Sequence, residues 1–425
     1  MNTLSPVAAA LFLLAPTCFG GEIGNGKERE RGGPLAGLPS APGPHIAKIK
    51  ALGDNAWLNL GTPTRDPKWG TARGRSWAAP MPLAPDLRGG FLFGEGPHGM
   101  VKPDGHYMDD LWFYDLNAHR WICLYPGIHA KNPPELVINK DGFEATKDSR
   151  PLPIASMVHC YQMITYDTDR RRFMSVPCGG GYWKHMKKVL AFRRAGGRRR
   201  NVSPFFYDTV KGQWDGHATE APMPRTGFGD LLMYVASIKK TIHYRRGQNV
   251  HYFDAAKKDW TSVKPKGTRP TFGIDFTACY DGVRDRVWLG GGSYPVAKTP
   301  EQAFLFYDVK TDAWGNPKPK GSRLRGFNTN VSVMSYDAAN DVVIVFRHDL
   351  RPGSSSPGHG VNVYDPQANA WNDAPLPLAK GMPGRACWNG FYDPELNVHI
   401  FHLAGDGRGG GTIWAYRYKR APEKE

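Results

Sequence analysis

Long apolar stretches are missing from this sequence after its first twenty residues, so no segment there is suited to crossing a bilayer as a helix. The sequence contains no Gly-x-Ser-x-Gly elbow for a nucleophilic serine. It also contains no phosphate loop, because the glycine-rich stretch 405–411 has no Lys-Ser/Thr pair. Five cysteines remain after residue 20, and none stands near a histidine in an arrangement typical of a nucleophile. These absences exclude several common enzyme classes.

Residues 1–20 have the layout of a signal peptide, with an apolar run at 7–14 followed by small residues. They predict export to a secreted or periplasmic location. Lipid anchoring through Cys18 is the alternative, although Ala15-Pro16-Thr17 is a poor site for acylation. Residues 21–50 are rich in glycine, proline and charge, which predicts a flexible leader.

One pattern recurs five times at constant spacing: an apolar strand, Tyr/Phe-Asp, five further residues and then Trp. The aspartate and the polar residues after it predict a turn, and the tryptophan lies on the next strand of the hairpin. These motifs begin at the following aromatic residues: Tyr114, Tyr207, Phe253, Tyr307 and Tyr364.

A second hairpin, marked by Tyr-Asp or Tyr at its turn, precedes four of these units and begins the final one. Two hairpins make a four-stranded propeller blade. The glycine cluster after a second strand, then Tyr-Asp and Trp, resembles the kelch-repeat family. The same fold occurs in the central domain of galactose oxidase and in bacterial sialic acid mutarotase. The resemblance covers 54–418 and implies an all-β, kelch-type β-propeller. The last unit reaches its third strand with no tryptophan after it, so we expect the strand around Trp57 to complete the last blade, which gives six blades.

Arginines recur shortly before the first strands of five blades, where bidentate guanidinium groups would bind carboxylate or sulfate at the channel mouth. These are Arg75, Arg225, Arg269, Arg325 and Arg385. Polar residues of the first strands are expected to reach the same pocket: His159, Asp230, Asp275, Asn330 and Asn389. The alternative is a channel whose polar residues bind only water. Asp230 and Asp275 are also candidate acid–base groups, and a carboxyl among arginines is expected to have a lowered pKa.

The densest charge in the chain lies in the second-to-third-strand connection of blade two, and the formal net charge is +16. Such a patch attracts polyanions from a distance, although a solvated loop without a dedicated partner remains the alternative. The patch comprises Lys184, Lys187, Lys188, Arg193, Arg194, Arg198, Arg199 and Arg200.

No metal or other cofactor is predicted. Four histidines near blade one lack partners at zinc-like spacing: His98, His106, His119 and His129. The galactose oxidase resemblance implies a copper site with a Tyr–Cys cross-link, a second Tyr and two His, and that set is not found here. Cys160 and Cys178 lie opposite each other in the first hairpin of blade two, so a disulfide and buried free thiols are both open.

Three functions follow from the sequence. The leading hypothesis is binding of an anionic carbohydrate or another polyanion at the channel mouth. The alternatives are an enzyme that acts on a small acidic sugar, similar to a mutarotase or epimerase, and a protein-interaction scaffold. We expect a monomer, with nucleic acid an unlikely partner.

Overall fold

The first strand in the described part of the chain, β1 (Ala56–Gly61), belongs to the same sheet as the last one. The computed structural model describes residues 32–76, 80–94, 100–147, 151, 160–176, 201–227, 229–270, 274–294, 304–321, 332–347, 359–383 and 387–420. Of residues 274, 275 and 292–294 it describes the backbone alone. Within these residues, six four-stranded antiparallel sheets form the blades of a β-propeller.

The blades follow one another along the chain, and the innermost strands of neighbouring blades contact each other. Blade one contains β2 (Leu83–Ala84), β3 (Gly89–Phe93), β4 (Leu111–Asp115) and β5 (Arg120–Tyr125). A small hairpin of β6 (Leu136–Ile138) and β7 (Glu144–Thr146) separates it from blade two. Blade two contains β8 (Ile164–Asp167), β9 (Arg172–Ser175), β10 (Phe205–Asp208) and β11 (Gln213–Asp215).

The next three blades repeat the same strand order. Blade three contains β12 (Leu231–Val235), β13 (Lys240–Tyr244), β14 (Val250–Asp254) and β15 (Asp259–Val263). Blade four contains β16 (Ile274–Asp281), β17 (Arg286–Tyr294), β18 (Phe304–Asp308) and β19 (Ala313–Gly315). Blade five contains β20 (Ser332–Asp337), β21 (Val342–Arg347), β22 (Gly360–Asp365) and β23 (Ala370–Trp371).

Blade six closes the ring by combining three strands from residues 387–417 with β1 from residues 56–61. It contains β24 (Cys387–Asp393), β25 (Val398–Ala404), β26 (Thr412–Arg417) and β1. Trp57 of β1 pairs with Tyr416 of β26, and the Trp57 ring packs against Trp388 and Phe401 inside this sheet. The prediction that the strand around Trp57 completes the last blade is therefore confirmed.

The recurring Tyr-Asp pattern is explained by hydrogen bonds within each turn. In blade four, the Asp308 carboxylate accepts from the backbone N–H of Thr311, and the Tyr307 hydroxyl donates to Asp312 over 2.6 Å. Asp312 has a φ of 50°, the left-handed conformation that ends the turn. The tryptophans of the motif are buried between the blades: Trp121, Trp214, Trp260, Trp314 and Trp371. The Tyr-Asp and Trp residues are therefore structural.

Part of the segment predicted to be a flexible leader packs against the propeller. A short helix, α1 (Pro44–Lys50), buries Ile46 and Ile49, and Leu35 is also buried. The Ser40 hydroxyl donates to Asp115 over 2.6 Å. Apolar side chains and turn hydrogen bonds thus hold residues 32–50 on blade one, where composition alone predicted flexibility. Among the described residues, no helix has both the length and the apolarity needed to span a membrane.

Inside the ring, two side chains from blades two and four, which are not neighbours, approach each other. The Gln162 side-chain amide lies 3.3 Å from the Thr277 hydroxyl, and both residues are buried. Thr277 also accepts from the backbone N–H of Met334 over 3.1 Å. These bonds link blades two, four and five near their first strands.

Candidate functional site

The loops that join second to third strands lie on one face of the propeller, together with the loops that lead into the first strands. We call this the mouth face, and we call the face with the Tyr-Asp turns the turn face. On the mouth face of blade three, three loops carry arginines. We call these residues the blade-three arginine cluster: Arg225, Arg245, Arg246 and Arg269.

Two of these arginines surround the end of β13. The Arg269 guanidinium donates to the carbonyl oxygen of Gly247 over 3.0 Å. Burial raises the pKa of Tyr244 to about 12, while the positive charges of Arg269 and Arg246 act in the opposite direction. Arg246 is exposed, so this part of the cluster presents positive charge to solvent.

The other two arginines meet at the loop before β12. A Cβ atom added to Gly227 would lie 2.4 Å from Nη1 of Arg245, so the Arg245 guanidinium lies directly over this glycine. Arg225 is two residues away and exposed. Within the described part of the chain, none of the four arginines forms an ion pair.

A buried Asp–His pair lies next to this cluster. The His243 Nε2 atom lies 3.1 Å from Asp230 Oδ2, which also accepts from the backbone N–H of Gly227 over 2.8 Å. Asp230 is 1% exposed and His243 is 0% exposed. Burial raises the pKa of Asp230, although His243, the Gly227 N–H and Arg245 oppose it. The expectation of a lowered pKa at this carboxyl was therefore wrong, because desolvation outweighs the nearby positive charge.

Arg75 lies inside the protein, where blades six and one meet. Its guanidinium donates to the buried carboxylate of Asp110, which also binds the Lys102 ammonium over 2.9 Å and the Trp112 indole N–H over 2.7 Å. Burial acts to raise the pKa of Asp110, but the positive charges of Arg75 and Lys102 outweigh it and hold the pKa below its ordinary value. The Asn389 amide donates to the Arg75 carbonyl oxygen over 3.1 Å. This network joins the two blades.

A second carboxyl beside this network is expected to titrate near neutral pH. Asp109 is buried and accepts hydrogen bonds from the backbone N–H of Ile128 over 2.9 Å and from the Tyr125 hydroxyl over 3.3 Å. Burial raises the pKa of Asp109 to about 7. The folded state therefore holds this proton more tightly than the unfolded state between about pH 4 and pH 7.

The Asp109→Asn variant tests this directly. As the pH rises from about 5 to about 8, the wild-type free energy of unfolding should fall by about 3 kcal/mol relative to that of Asp109→Asn, because the wild type must ionise a buried carboxyl. Urea unfolding of both proteins at the two pH values measures the difference. A difference that stays constant across this range would contradict the raised pKa.

The structure brings some of the predicted ligand-binding residues together and separates others. Arg75 and Asn389 touch, while Arg225, Arg269 and Asp230 gather at blade three. The side chain of Asp275 is outside the description, as are His159, Arg325, Asn330, Arg385 and the whole predicted patch at 184–200. Sequence reasoning missed Arg245 and Arg246. Their position directly after the second strand of blade three was the signal that places them on the mouth face.

A serine, a histidine and an aspartate line up between blades five and six. The Ser335 hydroxyl lies 2.8 Å from Nδ1 of His399, whose Nε2 lies 3.7 Å from Asp337. All three are buried, and the His399 ring lies 4.9 Å from the rings of both Phe346 and Tyr392. The second distance exceeds that of a hydrogen bond. The arrangement is part of blade packing, and we assign it no catalytic role.

Cys160 and His119 form hydrogen bonds within the fold. The Cys160 thiol donates to the Phe93 carbonyl oxygen, and Cys178 lies outside the description, so their pairing stays untested. His119 bonds the Tyr114 hydroxyl at 2.7 Å, and burial lowers its pKa to about 4. Among the residues that are described, no group of three or more His, Cys, Asp or Glu side chains is arranged to hold a metal ion.

The described residues define a six-bladed β-propeller with a cluster of arginines at blade three. No protein-family model and no curated protein matches the sequence. A structure described as YCF48 bound to D1 peptide covers 89% of this chain and 99% of its own, at 11% identity and a TM-score of 0.39. A chain of a mitotic checkpoint complex covers 98% of this chain and 100% of its own, at 8% identity and a TM-score of 0.38. Neither likeness carries an argument about function.

Proposed function

We propose that this protein is a binding module that takes an anionic carbohydrate at the blade-three arginine cluster. The observation that carries the proposal is that, within the described residues, none of these four arginines forms an ion pair, although the charge of Arg245 acts on the buried Asp230 from a longer distance. Guanidinium groups without internal counter-charges attract carboxylate or sulfate and bind it in a bidentate manner. The net charge of +16 adds long-range attraction. Membership of the kelch family and export to a secreted or periplasmic location belong to the same proposal.

The alternatives receive less support from the described residues. An enzyme acting on a small acidic sugar needs an accessible acid–base pair, and Asp230 and His243 are both buried. A protein scaffold is expected to expose a contiguous apolar patch. Among the described residues, the exposed large apolar side chains are Val101, Ile238 and Val283, and Val101 lies on the opposite face from the other two. Among the described residues, these three side chains do not form a contiguous apolar patch on the mouth face.

The test is binding of immobilised heparin and of a polyuronate, with neutral dextran as the blank, at about 50 mM and about 500 mM NaCl. We expect Arg225→Gln/Arg246→Gln to weaken binding about tenfold or more, because each lost guanidinium removes a charge-assisted hydrogen bond. Higher salt should reduce binding of the wild-type protein.

The matched control is Lys257→Gln/Lys258→Gln, which removes two exposed charges from the turn face of the same blade. We expect less than about twofold loss for this control. Equal losses for the two variants would show that net charge alone governs binding, and binding to dextran as strong as to heparin would reject an anionic ligand.

A further inference from the structure

A lysine-rich motif repeats on the connections that lead into blades four and five. The sequence reads Lys-Pro-Lys-Gly at 264–267 and again at 318–321. The four lysines are Lys264, Lys266, Lys318 and Lys320, and all are exposed. In the described part of the chain, none of them forms an ion pair. The repeat was not part of the blade pattern, so the fold alone does not require its charges.

Both copies attach to the outer edge of the following blade in the same way. The backbone N–H of Lys266 donates to the Asp312 carbonyl oxygen over 2.9 Å. The Lys266 carbonyl oxygen accepts from the backbone N–H of Trp314, also over 2.9 Å. Lys320 makes the equivalent bonds with Asn369 at 3.0 Å and Trp371 at 2.9 Å. Because the backbone is held identically, the two lysine pairs recur on the outer wall one blade apart.

The first lysine pair is continuous with the blade-three arginine cluster. Arg269 follows Lys266 by three residues on the same connection, and its guanidinium bonds Gly247 on the mouth face. Residues 264–269 therefore lead from the outer wall of blade four to the mouth of blade three. Positive charge without acidic partners continues along this path and recurs at Lys318 and Lys320.

We propose that these lysines extend the arginine cluster into a binding track for a chain of anionic sugar units, so that the ligand is a polysaccharide and not a single acidic sugar. This inference rests on the proposed function. The backbones of Lys266 and Lys320 are bonded to the outermost strands of blades four and five, so a chain that reaches these lysines from the arginine cluster lies over the outside of the propeller. In the described residues no Phe, Tyr or Trp side chain is exposed. Stacking of unpaired bases, which single-stranded nucleic acids use, therefore has no platform beside these cations.

The experiment measures affinity for heparin oligosaccharides of increasing length, from the disaccharide to the dodecasaccharide. The wild-type affinity should rise about 100-fold with length, since linked sites along one chain act together. Lys264→Gln/Lys266→Gln/Lys318→Gln/Lys320→Gln should keep the disaccharide affinity and lose most of that rise. The control removes the same number of charges from the turn face: Lys211→Gln/Lys257→Gln/Lys258→Gln/Lys310→Gln. This control should keep the full rise in affinity with length.

The outcomes separate this inference from the proposed function. Suppose that the lysine variant keeps the wild-type rise in affinity with length while Arg225→Gln/Arg246→Gln binds more weakly. This result would overturn the lysine track and leave the arginine site intact. No binding of any anionic oligosaccharide would overturn both. Tighter binding of single- or double-stranded DNA of equal charge, lost in the lysine variant, would overturn the polysaccharide as the partner.

Discussion

The Asp110→Asn variant is expected to lose about 3–5 kcal/mol of its free energy of unfolding, the largest effect of any single change considered for this protein. Asp110 is the shared counter-charge of Arg75 and Lys102, and all three side chains are buried. The variant keeps the shape of the site but leaves two cations in a low-dielectric interior. Chemical unfolding of the variant and the wild type at neutral pH measures the loss.

Asp104→Asn is the matched control for this prediction. Asp104 lies 3.7 Å from the same Lys102 ammonium but is about a third exposed. Removing its charge is expected to cost less than about 1 kcal/mol, because solvent screens the pair. Similar losses in the two variants would mean that burial does not set the strength of the Asp110 network.

A second large effect is expected at Gly267, within the Lys-Pro-Lys-Gly motif. Its φ is +77°, and an added Cβ would lie 2.2 Å from the carbonyl oxygen of Trp314. The Gly267→Ala variant therefore combines a left-handed backbone with a clash against a main-chain atom, and we expect a loss of about 2–5 kcal/mol. Thermal and urea unfolding both report this loss.

Gly381→Ala separates the two causes. Gly381 also follows a lysine and has a φ of +82°, but an added Cβ meets nothing within 4 Å. Its substitution should cost only about 1–2 kcal/mol, the price of the left-handed conformation for an L-residue. If Gly267→Ala costs no more than Gly381→Ala, the contact with the outer strand of blade four contributes nothing.

The fold was predictable because its repeats use local chemistry. Each Tyr-Asp turn is closed by bonds between residues that are two to five positions apart, as at Tyr307, Asp308 and Asp312, so the pattern is visible in the sequence. Trp57 was identified as the closing strand because the last unit ends without its tryptophan. The flexible leader predicted for residues 32–50 was wrong, because these residues are attached to the propeller by contacts with Asp115 and Asn117, which lie far along the chain.

The site was less predictable because position relative to a strand does not determine where an arginine side chain ends. Arg75 and Arg225 occupy similar places before first strands, yet Arg75 is buried against Asp110 and Arg225 is exposed. The difference arises because Asp110 of blade one pairs with Arg75. The sequence alone does not show which loop places an acidic residue next to which arginine. Arg245 and Arg246 join the site because the loop after β13 folds next to Gly227 and Arg269.

The pairing of β1 with β26 also constrains when the protein can fold. These strands are separated by more than 350 residues, and the backbone N–H of Asn55 bonds the carbonyl oxygen of Tyr418 over 2.9 Å. During synthesis, blades one to five emerge while β1 still lacks its neighbour. Until β26 leaves the ribosome, the edges of β1 and of the newest blade stay available for wrong pairing. Ring closure is therefore expected to be slow, because it depends on this long-range contact.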